Sequence, residues 1–258
     1  MDSVNKTLYI PLYGKSFVSK SGIILHDEKA EKIWAAEGFP LKGKSKSKWL
    51  AYYMGMRSAV FDRWLTEKLE AEPEAVVLHI GCGMDSRIIR VGAHQHLWFD
   101  VDFPEVIVQR RKYYEETYCY KMICGDLRES DWLDRIPSGS AIVVLEGISM
   151  YLRPEELKMA FENLYGRFEK VQILMDCYTE FAAKASRYKN PINDVGVTEV
   201  FGMDDPNVLP GYLREHELTP QDLIDQLNSM EKRIFKSVYA GSVARKMYRL
   251  YEYRGGKR

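Results

Sequence analysis

The stretch from Val76 to Arg87, VVLHIGCGMDSR, constrains the fold of this chain more than any other feature. An apolar run of β-strand length ends there in Gly81-Cys82-Gly83, and a second run, Leu97-Trp-Phe-Asp-Val-Asp102, ends in an acid. A strand, a glycine turn, a helix and a second strand that ends in an acid form the unit with which α/β proteins bind nucleosides. The sequence therefore predicts a nucleoside cofactor.

Strand and helix signals alternate after residue 75, which indicates a parallel sheet with crossover helices. The predicted strands are Ala75–Ile80, His96–Val101, Lys121–Cys124, Ser140–Leu145 and Val171–Asp176. The predicted helices between them are Ser86–Val91, Pro104–Thr117, Trp132–Ile136 and Pro154–Phe168.

The two ends of the chain lie outside this alternation. Residues 1–70 are predicted to form a helical extension, with helices at Asp27–Ala36 and Lys48–Leu69. Near the other end, Lys232–Ala240 and Ala244–Tyr251 alternate as two antiparallel strands joined at Gly241-Ser242, and Thr219 is expected to cap a short helix.

The glycine turn lacks the third glycine of the dinucleotide fingerprint, because residue 86 is serine. This argues against a pyrophosphate on the helix N-terminus. A nucleoside cofactor without phosphates, such as S-adenosylmethionine, needs only a close backbone approach and polar groups for its amino-acid and ribose parts. Of the two acids Asp100 and Asp102, we expect Asp102 to bind the ribose, because it lies nearest the turn into Pro104.

Two further acids follow predicted strands. Asp126 follows the third strand, where a carboxylate either accepts a hydrogen bond from an adenine amino group or caps the next helix. Glu146 follows an almost wholly apolar strand, where a carboxylate is out of place unless it meets a partner. We therefore expect Glu146 to face the cleft and to orient the cationic end of a cofactor or a neighbouring arginine.

Four motifs, in this order and spacing, resemble the leucine carboxyl methyltransferase family, which also contains the tetracenomycin-type polyketide O-methyltransferases. The motifs are Gly81–Arg87, Asp102–Val106, Gly125–Arg128 and Glu146–Leu152. The resemblance covers the chain from about Leu8 to the final strands. It implies an α/β, Rossmann-like class I methyltransferase fold: a mostly parallel seven-stranded sheet with an antiparallel C-terminal hairpin and an N-terminal helical extension. It also implies S-adenosylmethionine as the cofactor.

By the same likeness, residues of the four motifs surround the cofactor. Gly81 lies under the methionine part, and Asp102 holds the ribose. Asp126 and Leu127 flank the adenine, and Glu146 lies beside the amino group. Asp102→Ala and Glu146→Ala are accordingly expected to abolish cofactor binding and to leave the fold intact.

The resemblance adds four cofactor-binding residues and leaves the catalytic groups unassigned. Cys82 and Gly83 belong to the glycine turn, and the basic side chains of Lys15 and Arg57 would meet a carboxylate of the cofactor or the substrate. No general base is assigned, because no histidine outside the first strand lies in a motif.

Composition limits the partners that we expect. Lys+Arg and Asp+Glu both number 37, so the net charge of zero gives no sign of a nucleic-acid or membrane partner. The four cysteines are scattered, which predicts reduced thiols and no metal site. No signal peptide or long apolar run is evident, which predicts a cytoplasmic protein.

We expect one methyltransferase domain over 1–258, with a lid at 1–70, a cofactor-binding core at 75–180, a substrate-side insertion at 181–230 and closing strands at 231–258. The leading hypothesis is an O-methyltransferase that acts on a carboxylate or hydroxyl of a small, polyketide-like metabolite. The alternatives are a protein C-terminal carboxyl methyltransferase, a catalytically silent S-adenosylmethionine-binding protein and a nicotinamide-dependent oxidoreductase. The oligomeric state is not predicted.

Overall fold

A computed structural model of the chain describes residues 6–189 and 199–257. The first part is helical, as predicted, with α1 at Tyr9–Lys20, α2 at Glu28–Glu37 and α3 at Lys48–Ala71. The Asp27 carboxylate caps α2 by accepting a hydrogen bond from the Ala30 N–H. The basic stretch before α3 contains a 3₁₀ turn at Gly43–Lys46.

A mixed seven-stranded sheet follows and confirms the predicted fold class. Its strands are β1 Val76–Ile80, β2 Trp98–Asp102, β3 Tyr120–Cys124, β4 Ser140–Leu145, β5 Lys170–Tyr178, β6 Tyr212–His216 and β7 Tyr248–Gly255. The spatial order is β3-β2-β1-β4-β5-β7-β6. The five strands from β3 to β5 are parallel, and β7 runs antiparallel to both β5 and β6. The five strands predicted from the sequence correspond to β1–β5.

Short helices connect the strands. They are α4 Arg87–Arg90, α5 Pro104–Arg110, α6 Pro154–Arg167, α7 Glu180–Lys189, α8 Gln221–Ile224, α9 Ser229–Val238 and α10 Ser242–Met247. The predicted helix 104–117 was too long, because the chain turns after Arg110 to reach β3. The segment predicted as a helix at 132–136 is a 3₁₀ turn at Asp131–Arg135.

The predicted hairpin of 232–240 and 244–251 was wrong. These residues form α9, α10 and the start of β7, and the antiparallel neighbours of β7 are β5 and β6. The Asn228 side chain begins α9 by accepting a hydrogen bond from the Glu231 N–H, and this cap favours a helix over a strand. The expected cap at Thr219 was also wrong, because Pro220 occupies the N-cap position of α8.

Both faces of the sheet are buried. Val77 on β1 faces the layer of α1 and α3, whereas Val76 and Leu78 face the layer of α6, as the two-residue period of a strand requires. In the described ranges, no helix has both the length and the apolar character needed to cross a bilayer. The carboxyl ends of β1, β2 and β4 meet at one edge, beneath the N-terminal helices.

Candidate functional site

A cavity of about 1150 Å³ lies at this edge of the sheet, between the strand ends and the N-terminal helices. All nine residues predicted to bind the cofactor line it: Lys15, Arg57, Gly81, Cys82, Gly83, Asp102, Asp126, Leu127 and Glu146. Folding therefore brings together positions that are separated by up to 131 residues of sequence.

The floor of the cavity is backbone. Gly81 follows β1 with φ +66°, and a Cβ atom there would lie 2.2 Å from Cγ2 of Ile148. Glycine adopts this conformation readily, and a side chain here would collide with Ile148. The turn holds its shape because the Gly83 N–H donates to Asp102 Oδ2 at 2.8 Å. Gly81 and Gly83 both line the cavity, so the backbone of this turn is accessible to a ligand.

Asp102 ends β2 with spare hydrogen-bonding capacity. Its two oxygens accept from the Gly83 and Phe103 N–H groups, each at 2.8 Å. Each carboxylate oxygen has two lone pairs, so both can accept a further donor from the cavity. Burial raises the pKa of Asp102 to about 6, although the two backbone donors oppose this shift. The geometry fits a ribose diol.

Glu146 lies between two arginines. Arg57 Nε donates to Glu146 Oε1 at 3.0 Å, and an Arg87 Nη donates to Glu146 Oε2. Burial alone would raise the pKa of Glu146, but Arg87, Arg57 and Lys15 lower it to about 2. The carboxylate is therefore ionised and held in place. An arginine partner was predicted, and the structure provides two, Arg57 and Arg87.

Arg57 also binds the end of β5. Its Nη1 donates to Asp176 Oδ2 at 3.0 Å and to the Tyr248 hydroxyl at 2.9 Å. The Tyr248 hydroxyl in turn donates to Asp176. Sequence reasoning missed both residues. Asp176 carries the same signal as Glu146, an acid at the end of an apolar strand, whereas nothing near Tyr248 in the sequence indicates its role.

Lys15 pairs with an acid of the glycine turn. Its Nζ lies 3.0 Å from Asp85 Oδ1, and both side chains are buried. Arg90 joins Asp85 to Asp27 and Asp62, with contacts of 2.6 to 2.7 Å. The N-terminal helices are thus tied to the sheet by ion pairs.

The charges of this network fit a cationic ligand. Its five carboxylates are Asp27, Asp62, Asp85, Glu146 and Asp176, and its four cations are Lys15, Arg57, Arg87 and Arg90. A negative excess beside a cavity favours a ligand with a net positive charge. S-adenosylmethionine carries a sulfonium, an ammonium and one carboxylate, so its charge suits the network, and its shape suits the glycine floor and Asp102.

Asp126 is less free than predicted. Arg128 donates from Nε to both oxygens of Asp126, at 3.0 and 2.9 Å, and its backbone N–H donates to Oδ1. This pair lowers the pKa of Asp126 against the effect of burial. Leu127 is buried beside it and presents an apolar surface. An adenine amino group here would share Asp126 with Arg128.

Part of the cavity wall is aromatic. The lining tyrosines are Tyr53, Tyr151, Tyr178, Tyr239 and Tyr248. The Tyr248 ring centroid lies 4.8 Å from that of Tyr178 and 6.0 Å from that of Tyr53. Burial raises the pKa of Tyr151 to about 12 and also raises the pKa of Tyr53 and of Tyr248. These phenols stay protonated and form a largely apolar wall.

No histidine is free to act as a base in the described part of the cavity. His79 lines it but is buried, and its Nδ1 lies 3.1 Å from Asp100. Burial lowers the pKa of His79, despite the opposing effect of Asp100. His216, on β6, lies 2.8 Å from Glu252 and does not line this cavity.

Known proteins resemble this chain in sequence and in fold. A sequence model of the family described as leucine carboxyl methyltransferase matches residues 3–165. The chain is 32% identical over 155 residues to the tetracenomycin polyketide synthesis O-methyltransferase TcmP of Streptomyces glaucescens. That match covers 59% of this chain and 57% of TcmP, so it spans little more than half of this relative.

Two further relatives cover more of the chain. The S-adenosyl-L-methionine-dependent methyltransferase dpfgK of Gibberella zeae is 24% identical over 233 residues, which is 81% of this chain and 78% of that protein. The crystal structure of a putative methyltransferase from Thermobifida fusca YX superposes with a TM-score of 0.50 at 15% identity. It covers 87% of this chain and 93% of that one, and it shows a shared fold.

Proposed function

The chain belongs to the leucine carboxyl methyltransferase family, and we propose that it is an S-adenosylmethionine-dependent O-methyltransferase that methylates a carboxylate of a small, largely apolar metabolite. One observation carries this proposal: a single cavity joins a glycine floor, an acid with unused lone pairs and an anionic network to an aromatic wall. The first three features suit the cofactor, and the fourth suits the acceptor. The name of TcmP supports a polyketide-like acceptor.

The bound cofactor would supply an electrophilic methyl group on a sulfonium. The chain then has to hold the acceptor oxygen in line with that methyl group and to exclude water. The aromatic wall excludes water and packs against the apolar body of the acceptor. Lys15 and Arg57, two of the four cations that line the cavity, orient carboxylates there; the other two are Lys44 and Arg128.

The state of the possible bases in the described lining favours a carboxylate acceptor over a hydroxyl. An alcohol or phenol must lose its proton during transfer, which a positioned base assists. In the described lining, Asp85, Asp126 and Glu146 are ion-paired, and His79 is buried against Asp100. Of the two remaining acids, Asp102 is proposed to bind the ribose, and Glu105 is exposed on the first turn of α5. A carboxylate is already ionised and nucleophilic, so it needs only orientation.

The N-terminal helices and the region after β5 are proposed to cover the cleft. α1, α3 and α7 contribute lining residues, in agreement with that arrangement. Residues 190–198 of the predicted insertion at 181–230 lie outside the described residues.

Calorimetric titration with S-adenosylhomocysteine, with NADH as the control ligand, tests the cofactor. We expect micromolar binding of the former and no heat from the latter. Heat from NADH alone would overturn the proposal.

The acceptor chemistry is tested with methyl-labelled S-adenosylmethionine and a panel of aromatic acids and their hydroxyl analogues. A methyl ester releases labelled methanol in mild alkali, whereas a methyl ether does not. We expect alkali-labile product from the acids. Alkali-stable product from the hydroxyl analogues would show that the acceptor group is a hydroxyl and not a carboxylate.

A further inference from the structure

The helices that border the cavity carry an uncovered apolar stripe. Met230, Ile234 and Val238 lie four residues apart on α9 and therefore share one face, and 65%, 38% and 57% of their surface is exposed. Val243 on α10 is 70% exposed. Phe235, about 100° around the helix from Ile234, is the buried residue of α9. Single exposed aliphatic side chains are ordinary, but a stripe on adjoining helices suggests a contact surface.

Basic side chains flank this stripe. Lys42, Lys44, Lys46, Arg233 and Lys236 are exposed cations of this region, and none of them forms an ion pair within the described ranges. The nearby acids Glu231 and Asp225 are already paired, with Lys48 at 2.7 Å and Lys232 at 2.8 Å. The surface therefore has a local excess of positive charge, although the whole chain is neutral.

Direct contacts join these elements into one surface. The Lys48–Glu231 pair and the hydrogen bond from the Tyr52 hydroxyl to Glu231, 3.1 Å long, connect the start of α3 to α9. The Trp49 and Tyr239 rings stack with centroids 6.3 Å apart. We call the surface formed by residues 42–48, α9 and α10 the basic rim.

The basic rim borders the cavity. Lys44, Tyr239 and Ala244 belong to it or adjoin α9, and all three line the cavity. A partner that covers the rim would therefore lie beside the route by which an acceptor enters.

We propose that the basic rim binds peripherally to an anionic lipid surface, with the apolar stripe inserted among the headgroups. A helix with basic residues beside an exposed apolar face is the arrangement that binds lipid interfaces. The uncompensated cations complement anionic headgroups, each contributing roughly a fivefold gain in affinity. A second copy of this chain fits less well, because the two like-charged rims would repel. This proposal is independent of the methyl acceptor.

Sedimentation with lipid vesicles tests the proposal directly. The full chain is mixed with vesicles of phosphatidylcholine alone or with roughly a third phosphatidylglycerol. We expect sedimentation with the anionic vesicles only, and release in about 0.5 M sodium chloride because salt screens the attraction. Absence of binding to anionic vesicles would overturn the proposal.

Two variants locate the contact. Lys42→Ala/Lys46→Ala/Lys236→Ala should weaken vesicle binding roughly a hundredfold. Met230→Ser/Val238→Ser should weaken it at least about tenfold, because the inserted surface is lost. All five side chains are exposed, so circular dichroism should report an unchanged fold.

Matched controls replace exposed residues elsewhere. Lys112→Ala/Lys121→Ala/Lys158→Ala removes the same charge, and Val108→Ser removes an apolar side chain that is 61% exposed on α5. Both should bind vesicles as the unaltered chain does. Equal losses in the controls would overturn the assignment to the rim. So would a dimer, seen by analytical ultracentrifugation, that Met230→Ser/Val238→Ser abolishes, or an acidic protein that competes while vesicles do not.

Discussion

Two acids on the same strand show how differently buried carboxylates can be used. Asp100 and Asp102 lie two residues apart on β2. Asp100 is completely buried and has four donors around its two oxygens: His79, Trp98, Arg110 and Tyr120. Asp102 has only two backbone donors and lines the cavity.

The difference lies in the lone pairs that remain. An ionised carboxylate accepts about four hydrogen bonds, so Asp100 is saturated and serves the fold, whereas Asp102 can still accept from a ligand. Burial would raise the pKa of Asp100, but Arg110, His79 and Tyr120 lower it to about 2. At Asp102 the effect of burial exceeds that of the two backbone donors, so the pKa is raised. A buried acid marks a binding site only when it keeps unused capacity toward a cavity.

The largest expected effect is a difference in the free energy of unfolding between variants of Asp100 and Asp102. Asp100→Ala leaves the Arg110 guanidinium buried without its carboxylate and should cost about 3–5 kcal/mol in the free energy of unfolding. Urea denaturation measures the loss. Asp102→Ala is the matched control and should cost less than about 2 kcal/mol, since it removes two hydrogen bonds to backbone donors. Equal losses would contradict the distinction.

Glu146 both supports the fold and lines the cavity. Its side chain is 5% exposed between Arg57 and Arg87, so Glu146→Ala should destabilise the fold, which revises the expectation that the fold stays intact. Glu146→Gln keeps the shape and removes the charge. It should weaken S-adenosylhomocysteine binding about 10- to 100-fold with a stability loss of about 1–3 kcal/mol. Calorimetry with unchanged affinity would place Glu146 among the purely structural acids.

The affinity for S-adenosylhomocysteine should fall as the pH falls through about 6. The ribose hydroxyls donate to ionised Asp102, and about a tenth of Asp102 is ionised one pH unit below its pKa. We therefore expect Kd to rise about tenfold between pH of about 7.5 and about 5. Asp102→Asn should bind more weakly at high pH and show a flat profile. A steep profile in that variant would assign the titration to another group.

The smallest effect is expected at Asp126. Because Arg128 already holds this half-buried carboxylate, Asp126→Asn should weaken S-adenosylhomocysteine binding by less than about fivefold. Arg128→Ala is the informative companion, since it frees Asp126 and should leave affinity equal or higher. A loss above about tenfold in Asp126→Asn would show that the adenine displaces Arg128.

Much of the strand-end side of the cavity could be predicted because its signals are local. Gly81, Asp102 and Glu146 each follow an apolar run, and parallel strands bring their carboxyl ends to one edge. The aromatic wall offered no such signal. Tyr53 and Tyr239 look like ordinary core residues in the sequence, and Tyr248 reaches Arg57 only through the position of β7.

The sequence by itself determined the fold class, the glycine floor and the acids at the strand ends, because each depends on a pattern within a few neighbouring residues. Tertiary structure alone decided which acids are saturated, which strand pairs with β7 and where the positive charge collects. These properties depend on partners that are far apart in the chain, such as Arg57 with Asp176 or Lys48 with Glu231. Local sequence periodicity does not predict such pairings, since they arise only when separate elements pack together.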